Sequence, residues 1–253
     1  MSGIDVSIVI PVFNSEKFIG AALDSVLSQT ALSWEALIVD DGSSDGSVEI
    51  INAYVKKDPR FRLIQMSVGG GAAKARNAAI RQSQGSYIAF LDSDDLWMPD
   101  KLSTQIAAMS FAGAAMSCTA VDVIDDEGVV SGERHVPGLI DYSLLLRRTP
   151  IVTSSVIIDV ARVGRLEMPD IIRRQDLALW LKIIRKAGPA LGVDKVLGSY
   201  RVHEGSLSRN KLVSAIYTWR VIRAAEGMSM VSAIYYFINY AFKGVFSRLR
   251  GLN

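Results

Sequence analysis

The first hundred residues alternate short apolar segments with amphipathic segments, and this alternation constrains the fold more than any other feature of the sequence. The apolar segments are rich in β-branched residues and predict strands, whereas the amphipathic segments repeat apolar residues at helical spacing. The predicted strands are 6–13, 34–39, 61–66 and 87–91, and the predicted helices are 18–27 with Ser15 as N-cap, one ending near 55, and 72–82. This order predicts an α/β fold with a largely parallel sheet, right-handed crossovers and helices on both faces.

Polar residues collect where the predicted strands end. Residues 11–14 lie at the end of the first strand, Asp40 and Asp41 follow the second, and residues 92–95 follow the fourth. Ligands of open α/β sheets bind at the carboxyl ends of the strands, so these residues mark the expected site. Asp45, further into a turn, is expected to cap that turn or the next helix.

An Asp-x-Asp sequence, formed by Asp92 and Asp94, offers oxygen ligands suited to a hard divalent cation. A phosphorylated ligand would also need positive charge here, because the sequence ahead of the C-terminal tail is acidic overall. The nearest cations in sequence are Lys74 and Arg76, beside the glycine run 69–71. That run has neither Walker nor dinucleotide-binding spacing, so it predicts only a flexible backbone near the ligand.

Four segments form a more specific set. They read VSIVIPVFN at 6–14, IVDDGSSD at 38–45, ARNAA at 75–79 and AFLDSDD at 89–95. Together they resemble the family 2 glycosyltransferases over about residues 5–103. The resemblance implies the GT-A type fold, a Rossmann-like and mostly parallel central sheet flanked by helices. It also implies a nucleotide-sugar donor, a divalent metal ion (Mn²⁺ or Mg²⁺) and inversion at the anomeric carbon.

The resemblance also implies roles for individual residues. Asp92 and Asp94 match the motif whose second carboxylate coordinates the metal ion. His203, in a segment that resembles the closing part of many bacterial members, is a third candidate metal ligand, although a lone histidine in a loop is often only solvated. Arg209, in the same segment, is expected to contact the diphosphate. The residues implied in donor binding are Pro11, Asp40, Asp41, Arg76, Asp92, Ser93 and Arg209.

Residues 173–182, RRQDLALWLK, resemble the family segment in which an acidic pair opens a helix ending in Leu-Trp. Gln175 takes the first acidic position here, so only Asp176 keeps a carboxylate. Inverting transfer needs a base that removes the proton from the acceptor hydroxyl, and Asp176 is the candidate. The alternative is that Asp176 only caps a helix whose apolar face includes Trp180.

The middle of the chain carries fewer signals. Residues 114–124 and 129–133, on either side of 125–128, predict a hairpin. In the family this half usually contacts the acceptor. The predicted organisation is a nucleotide-sugar-binding half at 1–103, an acceptor-binding half of the same domain at 104–210, and a helical, membrane-associating tail at 211–253.

Charge divides unevenly between the body and this tail. Six basic residues and one acidic residue follow Asn210, so the tail carries +5 and the preceding residues −3 of the total of +2. Residues 227–242 are 16 positions without a charged side chain, or about 24 Å of helix. A membrane-spanning helix needs roughly 20 residues, so this segment is too short to span. The tail predicts an amphipathic helix lying on an anionic membrane surface. The alternative is packing on its own domain or on a second subunit, as a homo-oligomer.

Compartment follows from cysteine usage and from the N-terminus. The single cysteine, Cys118, cannot form an internal disulfide, and no signal-peptide pattern precedes the first strand. The nearly balanced charge argues against a broadly basic surface for nucleic acid. We therefore expect a cytoplasmic protein, peripherally associated with the inner face of the inner membrane.

The sequence favours one function over two alternatives. The expected function is an inverting, metal-dependent glycosyltransferase that moves a sugar from a nucleotide-diphosphate donor, a UDP-sugar, to a lipid-linked glycan in surface polysaccharide synthesis. A nucleotidyltransferase that forms sugar nucleotides would carry a Gly-rich triphosphate loop after the first strand, which is absent. A non-catalytic subunit would not need Asp92, Asp94 and Asp176 together.

Overall fold

The computed structural model describes residues 4–31, 33–67, 69–203, 211–225 and 227–249. Its strands are β1 (Val6–Val12), β2 (Trp34–Asp40), β3 (Phe61–Gln65), β4 (Tyr87–Phe90), β5 (Leu96–Trp97), β6 (Met116–Ile124), β7 (Val130–Arg134), β8 (Leu139–Ile140), β9 (Ile157–Asp159) and β10 (Ala190–Arg201). Its α-helices are α1 (Ile19–Leu27), α2 (Ser47–Lys57), α3 (Ala72–Gln82), α4 (Lys101–Ala112), α5 (Tyr142–Arg147), α6 (Val160–Val163), α7 (Gln175–Ala187), α8 (Lys211–Arg220) and α9 (Met230–Leu249). A 3₁₀ turn, Thr153–Ser155, and a π-helical segment, Val221–Ala225, complete them.

The predicted parallel sheet is confirmed for the first four strands, which run in the order β3-β2-β1-β4. Strand β1 lies in the middle and is buried on both faces. Ile8 and Ile10 point toward the core under α1, while Val9 points toward the core under α3. A strand buried on both faces explains why its sequence is a continuous apolar run instead of an alternating one.

The second half of the chain makes the sheet mixed. Strand β9 lies between β4 and β6 and is antiparallel to both. Strand β10 then pairs with β6 in parallel and with the short β5 antiparallel. The hairpin predicted after residue 114 is confirmed, since β6 and β7 pair antiparallel on either side of residues 125–129. The central sheet flanked by helices agrees with the predicted α/β class.

The predicted N-cap of the first helix was wrong. Helix α1 begins at Ile19, and its N-cap position is Phe18, with no side-chain cap. The hydroxyl of Ser15 instead donates to the carbonyl of Phe13 and lies 2.7 Å from that of Ser93. Asp45 caps as expected, because its carboxylate accepts the amide of Ser47 at the start of α2, and it also accepts the amide of Glu16 in the loop after β1.

Helix α7 joins the central core through a wide apolar face. Trp180 is fully buried and its ring meets that of Phe90 edge-on at 5.3 Å between centroids. The N-cap residue Arg174 has φ +62° and ψ +22°, in the left-handed region. This backbone conformation sets the direction in which the first turn, with Asp176, leaves the preceding loop.

The tail packs on the body of the protein. Val221 and Ile222 of the π-helical segment and Ala233 of α9 belong to the core cluster that also contains α7. The opposite face of α9 stays apolar and exposed. No helix within the described ranges combines the length and the hydropathy needed to cross a membrane. Arg209 lies outside the described residues.

Candidate active site

The loops after β1, β2 and β4 meet at the carboxyl edge of the sheet. The amide of Asn14 donates to the hydroxyl of Ser43, which joins the first loop to the second. The hydroxyls of Ser15 and Ser93 share a hydrogen bond, which joins the first loop to the fourth-strand loop. Pro11 pairs in register with Val39 just ahead of these loops. The structure therefore places Pro11 and Ser93 at the same sheet edge.

Asp40 and Asp41, at the end of β2, are both nearly buried and both accept backbone hydrogen bonds. Asp40 accepts from the amide of Ser43 at 3.1 Å. Each oxygen of Asp41 accepts one amide, that of Gly70 and that of Gly71, at 2.7 Å. The glycine run predicted to be flexible is thus tied to Asp41, and the φ of +81° at Gly71 explains the need for glycine there.

Arg76 lies on α3 and reaches the acidic cluster at the end of β4. Its guanidinium is buried, and its Nη2 lies 2.5 Å from Asp92 Oδ1. Burial alone would lower the pKa of Arg76, but the charges of Asp92, Asp176 and Asp94 together raise it above its ordinary value. The Nε atom of Arg76 is buried and makes no hydrogen bond to any residue that the structure describes. Arg76 therefore balances the neighbouring carboxylates with one N–H group still unbonded within that part of the chain.

The carboxylates after β4 are short of positive charge. Burial, and then the charge of Asp92, raises the pKa of Asp94, although His203 Nε2 lies 3.0 Å from Asp94 Oδ2. Asp95 is fully buried and its pKa is raised well above the ordinary value, first by burial and then by Asp94 and Asp92. Raised carboxyl pKa values mean that an additional cation near these groups would be favourable.

The shortage of positive charge near these carboxylates favours a divalent metal ion, provided that the ligand atoms suit one. The predicted ligands provide carboxylate oxygens from Asp92 and Asp94 and an imidazole nitrogen from His203, a donor set that suits Mn²⁺. The structure brings His203 and Asp94 together, whereas Asp92 turns toward Arg76. Within the residues described, no three His, Cys, Asp or Glu side chains already converge as a metal site. A divalent metal ion therefore fits these residues by charge and by the type of ligand atom. Asp94 and His203 are the two candidate ligands that already lie side by side.

Asp176 lies in the first turn of α7, near the same cluster. Thr153 donates from its hydroxyl to Asp176 Oδ2 at 3.3 Å, and Arg76 interacts electrostatically with Asp176. The next residue, Ser154, donates to Asp95 Oδ2 at 2.5 Å and accepts from the amide of Asp92. The buried 3₁₀ turn therefore joins the candidate base to the Asp-x-Asp loop, a connection that no sequence motif predicted.

Arg201, at the end of β10, is a second residue that sequence reasoning missed. Its Nε donates to the carbonyl of Asp94 and its Nη1 to the carbonyls of Asp125 and Asp126. Its guanidinium also lies over the ring of Phe18 at 4.8 Å. Arg201 thus fixes the Asp-x-Asp loop against the tip of the β6–β7 hairpin. The signal was its position two residues before His203.

The fold and the strand-end cluster define the class of GT-A type glycosyltransferases. Solved structures that share the fold include the following two. S. aureus TarS in complex with UDP-GlcNAc has a TM-score of 0.73 at 19% identity, covering 94% of this chain and 71% of that one. The mannosyltransferase PcManGT from Pyrobaculum calidifontis in complex with GDP-Man and Mn²⁺ has a TM-score of 0.68 at 18% identity, covering 98% and 76%.

Sequence comparison gives the family within that class. The pattern described as Glycosyl transferase family 2 matches residues 7–168, so the chain belongs to this family and is a glycosyltransferase. TuaG of Bacillus subtilis, which carries the name of a teichuronic acid biosynthesis glycosyltransferase, is 38% identical over 96% of this chain and 97% of its own length. WfaP of Escherichia coli, a UDP-Glc:α-D-GlcNAc-diphosphoundecaprenol β-1,3-glucosyltransferase, is 37% identical over 96% of each chain.

Proposed function

We propose that this glycosyltransferase transfers a sugar, with inversion, from a UDP-sugar to a glycan carried on a polyprenyl diphosphate lipid, in bacterial surface polysaccharide synthesis. The name of TuaG supports a role in polysaccharide synthesis, and the name of WfaP supports both the donor and the lipid-linked acceptor. The observation that carries the proposal is the joint cluster of Arg76, Asp92, Asp94 and Asp176 at the carboxyl edge of the sheet. It combines a donor-side cation, carboxylates for a metal ion and a candidate base.

The donor side of the proposed site follows from the strand ends. Pro11 and Asp40 lie near the carboxyl ends of β1 and β2, and Asp41 and Ser93 lie in the loops that follow β2 and β4. Arg76 has a buried Nε without a hydrogen-bond partner among the described residues. A divalent metal ion held by Asp94, with His203 and Asp92, would neutralise the diphosphate as the leaving group departs. Arg209 remains a sequence-based candidate for the same diphosphate. Arg76 adds a fixed positive charge on the donor side.

The acceptor side of the proposed site is organised by Asp176. As the acceptor oxygen forms its bond to the anomeric carbon, the proton of that hydroxyl passes to a carboxylate oxygen of Asp176. The bond between the anomeric carbon and the diphosphate oxygen breaks, and its electron pair leaves with the nucleoside diphosphate. Thr153 holds one oxygen of Asp176 through its hydroxyl, which limits the rotamers of the carboxylate.

A donor panel tests this function. The purified full chain is incubated with UDP-, GDP- and dTDP-sugars and Mn²⁺, with and without chelator, and nucleoside diphosphate release is measured. We expect one UDP-sugar to be turned over, loss of turnover with chelator, and loss in Asp94→Ala. The matched control is Asp194→Asn, since Asp194 pairs with His135 away from the cluster. Turnover that survives both chelator and Asp94→Ala would exclude the metal-dependent proposal.

The product of the reaction separates this function from the earlier alternatives. Glycosyl transfer releases nucleoside diphosphate, whereas a nucleotidyltransferase releases pyrophosphate, and a non-catalytic subunit releases neither. The family assignment favours the first outcome. Transfer to a synthetic polyprenyl-diphosphate sugar, followed by mass measurement of the product, identifies the acceptor class. Release of nucleoside diphosphate without any transfer to the polyprenyl-diphosphate sugar would contradict the lipid-linked proposal.

We further propose that the enzyme works at the inner face of a membrane, where α9 provides the contact. The side chains of Met230, Val231, Ile234, Tyr235 and Ile238 are between 44% and 80% exposed and lie on one face of this helix. Such a stripe of apolar side chains on a helix suits the boundary between headgroups and acyl chains. A lipid-linked acceptor would be presented at the same boundary.

A further inference from the structure

The N-cap residue of helix α7, Arg174, has an unusual backbone. Among the described residues other than glycine, only Asn14 and Arg174 have a positive φ. The left-handed conformation is unfavourable for a residue with a Cβ atom, and it persists only where surrounding contacts hold it. Arg174 is two residues ahead of Asp176, and its carbonyl accepts the amide of Ala178 in the first turn of the helix. Its conformation therefore sets where the first turn points.

The contact that holds Arg174 comes from the tail helix. Arg174 Nη2 donates to the hydroxyl of Tyr240 on α9 at 2.8 Å, and the guanidinium lies 6.0 Å from the centre of that ring. The ring of Tyr240 stacks on that of Phe237, which meets the ring of Trp219 on α8 edge-on. Tyr240 is thus a fixed aromatic group and not a free side chain.

Helix α9 is itself fixed to the body of the protein. Ala233 is fully buried in the core cluster that includes Trp180 of α7. Its inner face also packs on α5 and α8. The hydroxyl of Tyr240 is therefore a stationary acceptor, and the Arg174 side chain that reaches it restrains the Arg174 backbone.

We infer that Tyr240 is a positioning residue for Asp176, acting through the left-handed backbone of Arg174. The inference rests on the proposed function, in which Asp176 is the base. The helix whose outer face is proposed to meet the membrane thus also supports, through its inner face, the turn that aims the catalytic carboxylate. Donor binding, which depends on the strand-end loops, does not involve this contact.

The first experiment removes only the hydroxyl. In the full chain, Tyr240→Phe is expected to lower kcat for transfer about fivefold or more, with KM and Kd for the donor unchanged, because a hydrogen bond to a charged group is lost. Tyr142→Phe is the matched control, since the Tyr142 hydroxyl accepts the same kind of bond from Arg185 in the last turn of α7. Equal kcat values for Tyr240→Phe and Tyr142→Phe would overturn the inference.

A second pair of variants tests the backbone. Arg174→Gly and Arg174→Ala both remove the side chain, but only glycine adopts positive φ without strain. Arg174→Gly is expected to retain more transfer activity than Arg174→Ala, and equal losses would contradict the role of the left-handed backbone.

Hydrogen exchange separates failure of the inference from failure of the proposed function. The amides of the first turn of α7 are expected to exchange faster in Tyr240→Phe than in Tyr142→Phe. Unchanged exchange overturns the inference even if the enzyme is active. Full transfer activity in Asp176→Asn would instead overturn the proposed function, because Asp176 would then not be the base.

Discussion

The guanidinium of Arg76 interacts with three carboxylates, those of Asp92, Asp94 and Asp176. Of these three, the described structure shows an ion pair with Asp92 alone, so Asp176 would stay available to the acceptor hydroxyl in the proposed reaction. Asp92 and Asp176 thus have different partners. Asp92 is bound to the guanidinium of Arg76, whereas Asp176 accepts a hydrogen bond from Thr153.

This difference predicts the effect of neutralising the candidate base. Asp176→Asn removes the proton acceptor without changing side-chain size, and kcat for transfer is expected to fall by about 10²–10⁴. The Kd of the donor, measured by calorimetry, should change little, because Asp176 is not among the proposed donor contacts. Asp170→Asn, at an exposed carboxylate on the preceding loop, is the control. A similar loss in both variants would contradict a catalytic role.

Lys101 is a second unusual residue, and it lies outside the proposed chemistry. Its side chain is fully buried, donates from Nζ to Gln105 Oε1 at 2.8 Å and lies 4.3 Å from the centre of the Trp97 ring. Burial lowers the pKa of Lys101 to about 7. The folded protein therefore favours the neutral amine in a pH range where the unfolded chain keeps it charged.

The lowered pKa of Lys101 predicts a pH-dependent stability. Between its folded pKa of about 7 and its ordinary value of 10.5, the unfolded chain binds more protons, so the free energy of unfolding rises with pH. Below pH 7 Lys101 is charged in the folded protein as well, so the full cost of burying that charge lowers the free energy of unfolding. Lys101→Met should raise Tm at pH 6.5, and this gain should shrink toward pH 9.5. Lys56→Met, at an exposed position, should show no such trend. A gain that is constant with pH would contradict the assignment.

At the scale of elements, strand β10 depends on the absence of a side chain at one position. A Cβ atom at Gly192 would lie 1.9 Å from the carbonyl oxygen of Pro137, and the amide of Gly192 donates to the carbonyl of Gly138. The segment leading into β8 thus runs directly against β10. Only glycine permits this approach, because the obstructing atom belongs to the backbone.

Gly192→Ala is therefore expected to destabilise the fold. Overpacking in a well-packed region costs about 1–3 kcal/mol, and a backbone clash falls at the upper end. The midpoint of urea unfolding should drop accordingly. Gly138→Ala is the matched control, since a Cβ there meets nothing within 4 Å. Equal midpoints for the two variants would disprove the close approach.

The elements also show how far sequence reasoning reaches. The strands and helices up to residue 91 and the β6–β7 hairpin were predicted, because each has its own periodicity or turn signal. Strand β9 and the turn at 153–155 were not, since both are only three residues long and their partners lie far away in sequence. The site divides in the same way. Arg76 and Asp94 belong to motifs, whereas the contacts of Thr153 and Arg201 exist only in the folded chain.

For the whole molecule, the tail has two faces with different surroundings. Its inner face is part of the core, so the tail does pack on its own domain, as one of the alternatives in the sequence analysis had it. Its outer face is exposed and carries the apolar stripe from Met230 to Ile238. Truncation after Asn210 would disturb both faces at once, because Val221, Ile222 and Ala233 are buried. Substitutions of exposed side chains test the outer face without disturbing the buried inner face.

Membrane association is therefore tested on the outer face alone. Val231→Ser combined with Ile238→Ser is expected to lower cosedimentation with vesicles of anionic lipid about tenfold, because two apolar side chains no longer enter the interface. Phe111→Ser is the control, since Phe111 is 97% exposed but lies on α4. Unchanged cosedimentation would contradict the membrane contact. Loss of self-association in the same double variant, measured by sedimentation, would assign the stripe to a homo-oligomer.

The position of β9 has a consequence for biosynthesis. Strand β4 keeps an open edge until β9 pairs with it, and Asp159 is synthesised 69 residues after Phe90. At about 5–20 residues per second, the nascent chain exposes that edge for several seconds. Unpaired edges attract other chains, so this is the interval in which a chaperone would protect the chain on the ribosome. The open edge of β4 is closed by the strand that the ribosome adds last among the central strands β1, β4, β6 and β9.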